Sequence, residues 1–571
     1  MTLISNSIPN LVNGVSQQPA ALRLSSQAEL QENGYSSVVE GLKKRPPTEY
    51  VAKLYSSTLT TPFMHMINRD LSERYIVVVT GSDVNVFDLA GSSLTVNYSD
   101  VTDTLQDAAV ATDDGTTTDL QIYIPSSETT VTLETTGTFV GTVRWESSPN
   151  GNWLGEETNI REDTAATSGA VSFTTGYWLR ARVFAYTSGS ITCKVTSKKT
   201  NYIASPAIQR DALQALSIAD TTFMVNKEVT TAAKADVGSD FGEEYLIFIK
   251  SMPSSAPANG ISFTVNGTTV SPTFDIDQVD FAENTRAAMA ANGTINGGFT
   301  FSRERTTIRI KKDDGAAFEL KANNARDDNV KIIKKQVQRF TDLPTIAPTG
   351  MVVEILGDNS SSFDNYYVKF TPTNSTATFD TGSWVETVKG GLANGLDERT
   401  LPHTLARLED GTFLFGPATW DERTVGDEDS APVPSFVSQT INSLFFYKNR
   451  LGFLADTNTV MTQEGEFFNF WPTTVTTLLD SDPIDVAASG VSGDGVSVPI
   501  LRHAVPFDKQ LLLFSDQTQF ILTGGDLLTP TTVDIDASTS FETGNLARPV
   551  NAGKNLYFTA NNGGYSVIRE Y

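Results

Sequence analysis

Apolar and polar positions alternate over short stretches along most of this chain, and Gly, Asn, Asp and Ser punctuate the stretches at close intervals. A period of two with such punctuation predicts strands joined by tight turns. Residues 74–81 and 85–91 read as two strands around a Gly-Ser-Asp turn. The same grammar returns at 443–447 with 450–454, at 510–514 with 519–524, and at 555–558 with 565–568. Residues 220–226 look like a truncated copy. One hairpin cannot bury its own apolar face, so neighbours must stack. Recurrence at roughly 40–50 residues with insertions suits propeller blades.

Three regions depart from this rhythm. Residues 99–200 are rich in Thr, Ser and Gly and alternate at Leu120/Ile122/Ile124, Tyr177/Leu179/Ala181/Val183 and Ile191/Cys193/Val195. Half-buried antiparallel strands give this pattern, and about 100 residues is the size of a β-sandwich. Residues 280–291 carry the clearest helical signal, with Asp280 as the expected cap, Glu283 at capping-box spacing and Asn292-Gly293 as the stop. The first fifty residues are too polar and too broken by Gly and Pro for a helix or core strand. They read as an extended arm with fixed turns, and such an arm needs a surface to lie on.

The expected fold is therefore mainly β. It comprises an arm over 1–50, a first propeller framework over 51–98 plus 201–250, and an inserted sandwich over 99–200. An α+β platform-like region over 251–400 and further blades over 401–571 follow. The chain stops within what reads as a strand pair, so a longer protein or completion by another chain is expected.

Composition narrows the function. The 571 residues hold 42 Lys plus Arg and 67 Asp plus Glu, a formal charge of −25. Binding to phosphates is built from clustered cations, so a nucleic-acid-gripping protein is disfavoured. A single cysteine, Cys193, excludes an intrachain disulfide and a cysteine zinc cluster. It is expected as a buried strand thiol. No apolar run approaches a transmembrane length.

Candidate chemistry is sparse. His65, His403 and His503 lack a second histidine at metal-ligand spacing and read as structural. Gly490-Val491-Ser492-Gly493-Asp494-Gly495 lacks the lysine and order of a phosphate loop. Asp480-Ser481-Asp482-Pro483-Ile484-Asp485 and Asp427-Glu428-Asp429 offer oxygen ligands but not in an EF-hand pattern. As sequence neighbours, Asp427 and Asp429 also make a poor glycosidase pair. No catalytic, cofactor or metal residue is assigned. Lys43-Lys44-Arg45 is the strongest basic cluster and reads as a clamp on carboxylates of a neighbouring chain.

Specific segments resemble the tail tubular protein B family, the nozzle proteins of short-tailed (podovirus) bacteriophages. They begin with Asn13-Gly14-Val15-Ser16-Gln17-Gln18-Pro19, Asn33-Gly34-Tyr35 and Gly41-Leu42-Lys43-Lys44-Arg45-Pro46-Pro47. They continue through His65–Asp70, Val86–Leu89, Asp220–Asn226, Asn449-Arg450-Leu451-Gly452-Phe453-Leu454, Phe467–Pro472, Asp480–Val486 and Ala504–Phe507. Residues 99–200 look like an insertion that not all members carry. The resemblance implies a non-enzymatic virion component, made in the host cytoplasm: a homohexameric tube at the distal end of the tail. Its implied partners are the adaptor ring of tail tubular protein A, tail fibres, internal core or ejection proteins and double-stranded DNA passing through the lumen. Gln17, Gln18, Pro19, Lys43, Lys44 and Arg45 are the candidate intersubunit or adaptor contacts. The competing reading is an acidic, propeller-type glycan-binding or glycan-degrading protein. That reading needs exposed aromatic platforms beside carboxylates, whereas Trp145, Trp153, Trp178, Trp384, Trp420 and Trp471 are scattered over different regions.

Overall fold

A computed structural model describes residues 10–106, 121–124, 130–149, 151, 153, 157–172, 176–198, 202–204, 208–234, 242–326, 328–357, 365–489, 498–562 and 565–571. The chain divides into a small unit, 1–58 with 88–92, and a large unit comprising the rest. The small unit holds one hairpin, Gly34–Ser37 paired with Gly41–Lys44. Most of its large apolar side chains are exposed, among them Leu22, Leu30, Val38, Val39 and Tyr50. No buried apolar cluster takes a described residue from 10–58.

The large unit is mainly β. Three of its sheets are four-stranded meanders. One runs through Phe63–Asn68, Arg74–Thr80, Asp83–Asp88 and Ser93–Leu94, and another through Ser443–Tyr447, Arg450–Ala455, Asn458–Met461 and Ile484–Ala487. The third is Leu501–Phe507, Gln510–Ser515, Gln519–Thr523 and Asp534–Thr539, and Val550–Ala552, Asn555–Asn562 and Tyr565–Glu570 make a final three-stranded sheet. A five-stranded sheet gathers distant pieces: Leu213–Ile218, Thr221–Asn226, His403–Arg407, Phe413–Pro417 and, parallel to the last, Val96–Tyr98.

First strands lie side by side in a row. Phe63–Asn68 neighbours Leu213–Ile218, which neighbours Ser443–Tyr447, then Leu501–Phe507, then Val550–Ala552. Apolar side chains fill the spaces between sheets. Phe223, Leu444, Leu451 and Phe453 meet Trp420, Phe436 and Phe470 in one cluster. Its rings pack at 4.9 Å for Phe453–Phe470 and 5.0 Å for Phe436–Phe470, near the favourable separation for tilted aromatic pairs. A closed ring of blades is not seen among the described residues; the row is open.

The hairpins follow local chemistry. Between Ser443–Tyr447 and Arg450–Ala455 only Lys448 and Asn449 intervene, both left-handed at φ 49° and 57°. Two consecutive positive φ values match the turn that fits strand twist. Gly452 sits opposite Phe445, and a Cβ there would lie 2.0 Å from the Phe445 ring. Phe445 is buried and cannot retreat. Gly452→Ala is therefore expected to lower stability by about 1–3 kcal/mol through overpacking. Urea unfolding checks this, and an unchanged midpoint would show that the ring has room.

Within 101–198, two four-stranded sheets pack face to face around Leu133, Val143, Trp145, Leu179, Val183 and Val195. Cys193 lies in that core, and burial pushes its thiol up to about 12. Helix Gln278–Ala291 covers one face of the sheet formed by Phe299–Glu304, Thr307–Lys312, Glu244–Ile249 and Val330–Ile333. The helix starts earlier than its sequence suggests. Asp277, not Asp280, is the cap, and its carboxylate accepts from the Val279 and Asp280 amides at 2.8 and 3.1 Å. Glu283 closes no capping box. The Arg286 and Arg303 guanidiniums bind it and hold its carboxyl down at about 2. Asn292 ends the helix as expected, and its side chain caps the short helix Gly293–Asn296. Among the described residues no helix is long and apolar enough to cross a membrane.

Candidate functional site

The candidate contact residues lie in the small unit, in two groups. Gln17, Gln18 and Pro19 are exposed beside the bridge between Val15 and Ala28. The Gln18 carbonyl accepts from Arg23 at 3.1 Å, and the Pro19 carbonyl accepts from the Leu22 and Arg23 amides. Lys43, Lys44 and Arg45 end the hairpin. Lys43 pairs with Glu40 on the same hairpin. Arg45 donates to the Asn33 side chain at 3.3 Å, and its amide to the Asn33 carbonyl at 2.7 Å. Lys44 is exposed and makes no ion pair among the described residues. The fold thus spends two of the three cations on shaping the turn and leaves Lys44 outward.

A triple variant, Lys43→Ala/Lys44→Ala/Arg45→Ala, tests these residues as contacts to a neighbouring chain: with Lys44 alone turned outward, assembly is expected to weaken by about twofold to fivefold, the scale of one exposed ion pair. The thermal midpoint of the large unit should not move. Native mass spectrometry reads the first and calorimetry the second; normal assembly of the variant would remove these cations from the interface.

The large unit directs its polar groups into architecture. Arg450 is fully buried. Its guanidinium donates to the carbonyls of Thr462 at 2.8 Å, Asp482 at 2.7 Å, Asp480 at 2.9 Å and Ser481 at 3.2 Å. The carbonyls of the acidic 480–482 loop are thereby occupied by an arginine. The Asp482 carboxylate accepts from the Leu479 amide, and Asp485 accepts from the Ser435 amide and hydroxyl. Arg423 is buried in a similar way, bonded to the Ala431 and Ala393 carbonyls and to Glu428, with its guanidinium 5.2 Å from the Trp471 ring. Asp427 folds its own loop by accepting from the Asp429 amide and from Ser430. Neither arginine was singled out as a pin by charge pattern.

Each histidine has a structural setting. His403 stacks on Tyr202 at 4.3 Å and bonds the Leu401 carbonyl; burial lowers its pKa to about 4. His503 is buried, with Nε2 unpartnered, and burial likewise lowers it to about 4. His65 bonds the Ser217 hydroxyl at 2.8 Å. Trp145, Trp153, Trp420 and Trp471 are buried, and Trp384 donates to the Pro344 carbonyl. The first four are core side chains, Trp384 packs partly buried against a core, and Trp178 is half-buried. The Gly490 to Gly495 loop lies outside the described residues.

A family model described as bacteriophage nozzle protein matches residues 1–139 and 171–571. The unmatched stretch falls inside the two-sheet sandwich. Tail tubular protein gp12 of Escherichia phage T7 is 30% identical over 599 residues, covering 100% of this chain and 60% of that protein. The chain thus spans about 60% of the length of this curated relative. Among solved structures, an aldose sugar dehydrogenase from Streptomyces coelicolor in its PQQ-bound form aligns with 55% of this chain and 99% of its own, at 14% identity and a TM-score of 0.18. The AfRom2 CNH domain aligns with 63% of this chain and 92% of its own, at 7% identity and a TM-score of 0.17. Scores this low establish no shared fold. The family match covers both ends of the chain and nearly all of the framework between them, and the chain belongs to the bacteriophage nozzle protein family.

Proposed function

We propose that this chain is a structural subunit of a phage tail nozzle, a non-enzymatic virion component. Six copies form the distal tube beneath the adaptor ring, retain the genome, conduct it on ejection and help dock the fibres. The observation that carries this reading is the family match over 1–139 and 171–571. The internal use of the buried polar groups agrees with it: arginines pin loops, and histidines fill cores. In this reading the open row of meanders is part of a propeller. The sandwich over 99–200 is an outward insertion, 251–400 a platform, and 1–50 an arm reaching a neighbour.

Charge fits a conduit. Six chains of −25 make a strongly acidic assembly, and a lumen poor in cations lets a polyanion pass with few phosphate contacts. The test is negative-stain imaging of the purified chain with and without an adaptor ring, alongside immunolabelling of virions. Six-fold rings with a central hole and label at the tail tip are expected. Label absent from tails would overturn the reading.

A further inference from the structure

Where several strands of the large unit start or finish, their flanking residues line one cavity of about 390 Å³. Arg502 and His503 open the strand Leu501–Phe507, and Lys227 and Glu228 follow the strand Thr221–Asn226. Ile208 and Asp211 belong to the helical turn before Leu213–Ile218, and Leu546 lies shortly before Val550–Ala552. A cavity of this size, with apolar walls and a few converging polar groups, is the usual form of a small-molecule site.

Three of these side chains hold donors that the fold does not use. Arg502 donates from Nε to Asp516 at 3.2 Å, and its two terminal nitrogens make no hydrogen bond among the described residues. Lys227 is half-buried and makes no ion pair or side-chain hydrogen bond among the described residues. Burial lowers its pKa, and the Asp211 and Glu228 carboxylates offset this from beyond ion-pair distance. His503 is 7% exposed, and its Nε2 completes no hydrogen bond. The Gly544 carbonyl and three cations, Lys227, Arg548 and Arg502, face its ring. Arg548 is itself tied to the Ala504 carbonyl at 3.2 Å.

The remaining groups narrow the ligand. A guanidinium with its forked end free, beside an ammonium, suits a carboxylate. Ile208 and Leu546 are 44% and 75% exposed, an apolar lip without cover. Asp211 pairs with Arg210 at 3.1 Å, whereas Glu228 is exposed and unpaired among the described residues. Carboxylates lining the same cavity repel a ligand rich in phosphate and accept from one that also carries an N–H group.

We propose that this cavity binds an apolar amino acid, free or as the last residue of a peptide. Arg502 and Lys227 take its carboxylate, and Nε2 of His503 adds a hydrogen bond. Asp211 and Glu228 accept from its nitrogen, and Ile208 and Leu546 cover its side chain. The site lies within one copy of the chain and does not depend on ring formation.

Calorimetric titration of the full chain tests this with leucine, N-acetyl-leucine, leucinamide and inorganic phosphate. The better of the first two is expected to bind with a Kd of about 0.1–1 mM, the range open to so few atoms. Leucinamide, which lacks the carboxylate, should bind at least about tenfold more weakly. Tighter binding of leucine assigns a free amino acid, and tighter binding of N-acetyl-leucine a chain terminus. Arg502→Gln should weaken the better probe at least about tenfold, and Arg502→Lys should not restore it, because the planar fork is lost. Lys227→Gln should weaken it too while leaving the unfolding midpoint unchanged, since Lys227 has no partner to lose; it carries the comparison should Arg502→Gln unfold. The proposal fails if neither leucine nor N-acetyl-leucine binds at about 10 mM. It also fails if leucinamide or phosphate binds as tightly as the better probe, or if either folded variant binds as the wild type does.

Discussion

Replacing Arg450 by Met is expected to lower the stability of the large unit by about 3–5 kcal/mol, the scale of losing one side of a buried charged network. Four main-chain carbonyls, those of Thr462, Asp480, Ser481 and Asp482, would lose a charged donor, the bonds to Thr462 and Asp482 being buried. Met fills similar space, so the loss reports hydrogen bonding more than packing. Arg450→Lys keeps the charge but not the planar fork, and should recover less than half of the difference. Urea unfolding gives the magnitude. Limited proteolysis gives the place, with new cleavage expected near 480–482. A Met variant as stable as the wild type would mean that the loop holds itself.

The second large effect is a loss of stability on mild acidification. His403 and His503 are neutral in the fold because burial lowers each from 6.5 to about 4. Unfolded histidines take up protons below about 6.5, whereas the folded ones resist until about 4. Stability is therefore full above 6.5 and falls steadily as pH drops towards 4, by up to about 3 kcal/mol for each histidine. The Glu283 carboxyl titrates lower, at about 2, because Arg286 and Arg303 bind it. Unfolding midpoints at pH 7.5 and 5.0 should differ clearly for the wild type. A His403→Phe/His503→Gln variant should show a flatter dependence, even if its midpoint at neutral pH is lower. Parallel slopes would assign the acid sensitivity elsewhere.

What could be read from the sequence was local. Strands at 74–80, 450–455, 510–515 and 519–523 announce themselves because their alternation and turn residues act between neighbours. The helix over 278–291 was legible in type but not in start, because Asp275, Asp277 and Asp280 all precede an apolar run and only the backbone decides which one caps. Arg423 and Arg450 were not legible as pins. Their partners are carbonyls, which every residue carries, so no pattern of side chains marks them. The five-stranded sheet was equally hidden, since its members are joined by registry and not by sequence proximity. Family-like segments such as 449–454 and 480–485 were visible separately; the hydrogen bonds from Arg450 show that they form one device.

That five-stranded sheet also sets a timetable for the newly made protein. Asn97 meets Thr412 across 315 residues. At ~5–20 residues per second, the ribosome needs roughly a quarter of a minute to a minute to cover that distance. Until Phe413–Pro417 emerges, Val96–Tyr98 has no strand beside it. The sandwich and the helix-bearing region bury their own apolar faces and can settle during the wait, because their cores draw on nearby residues. The exposed edge left behind is a template for wrong pairing. Slowing translation between 250 and 400 should therefore favour the intervening regions yet prolong that exposure, and fragments that stop before 413 should aggregate during synthesis.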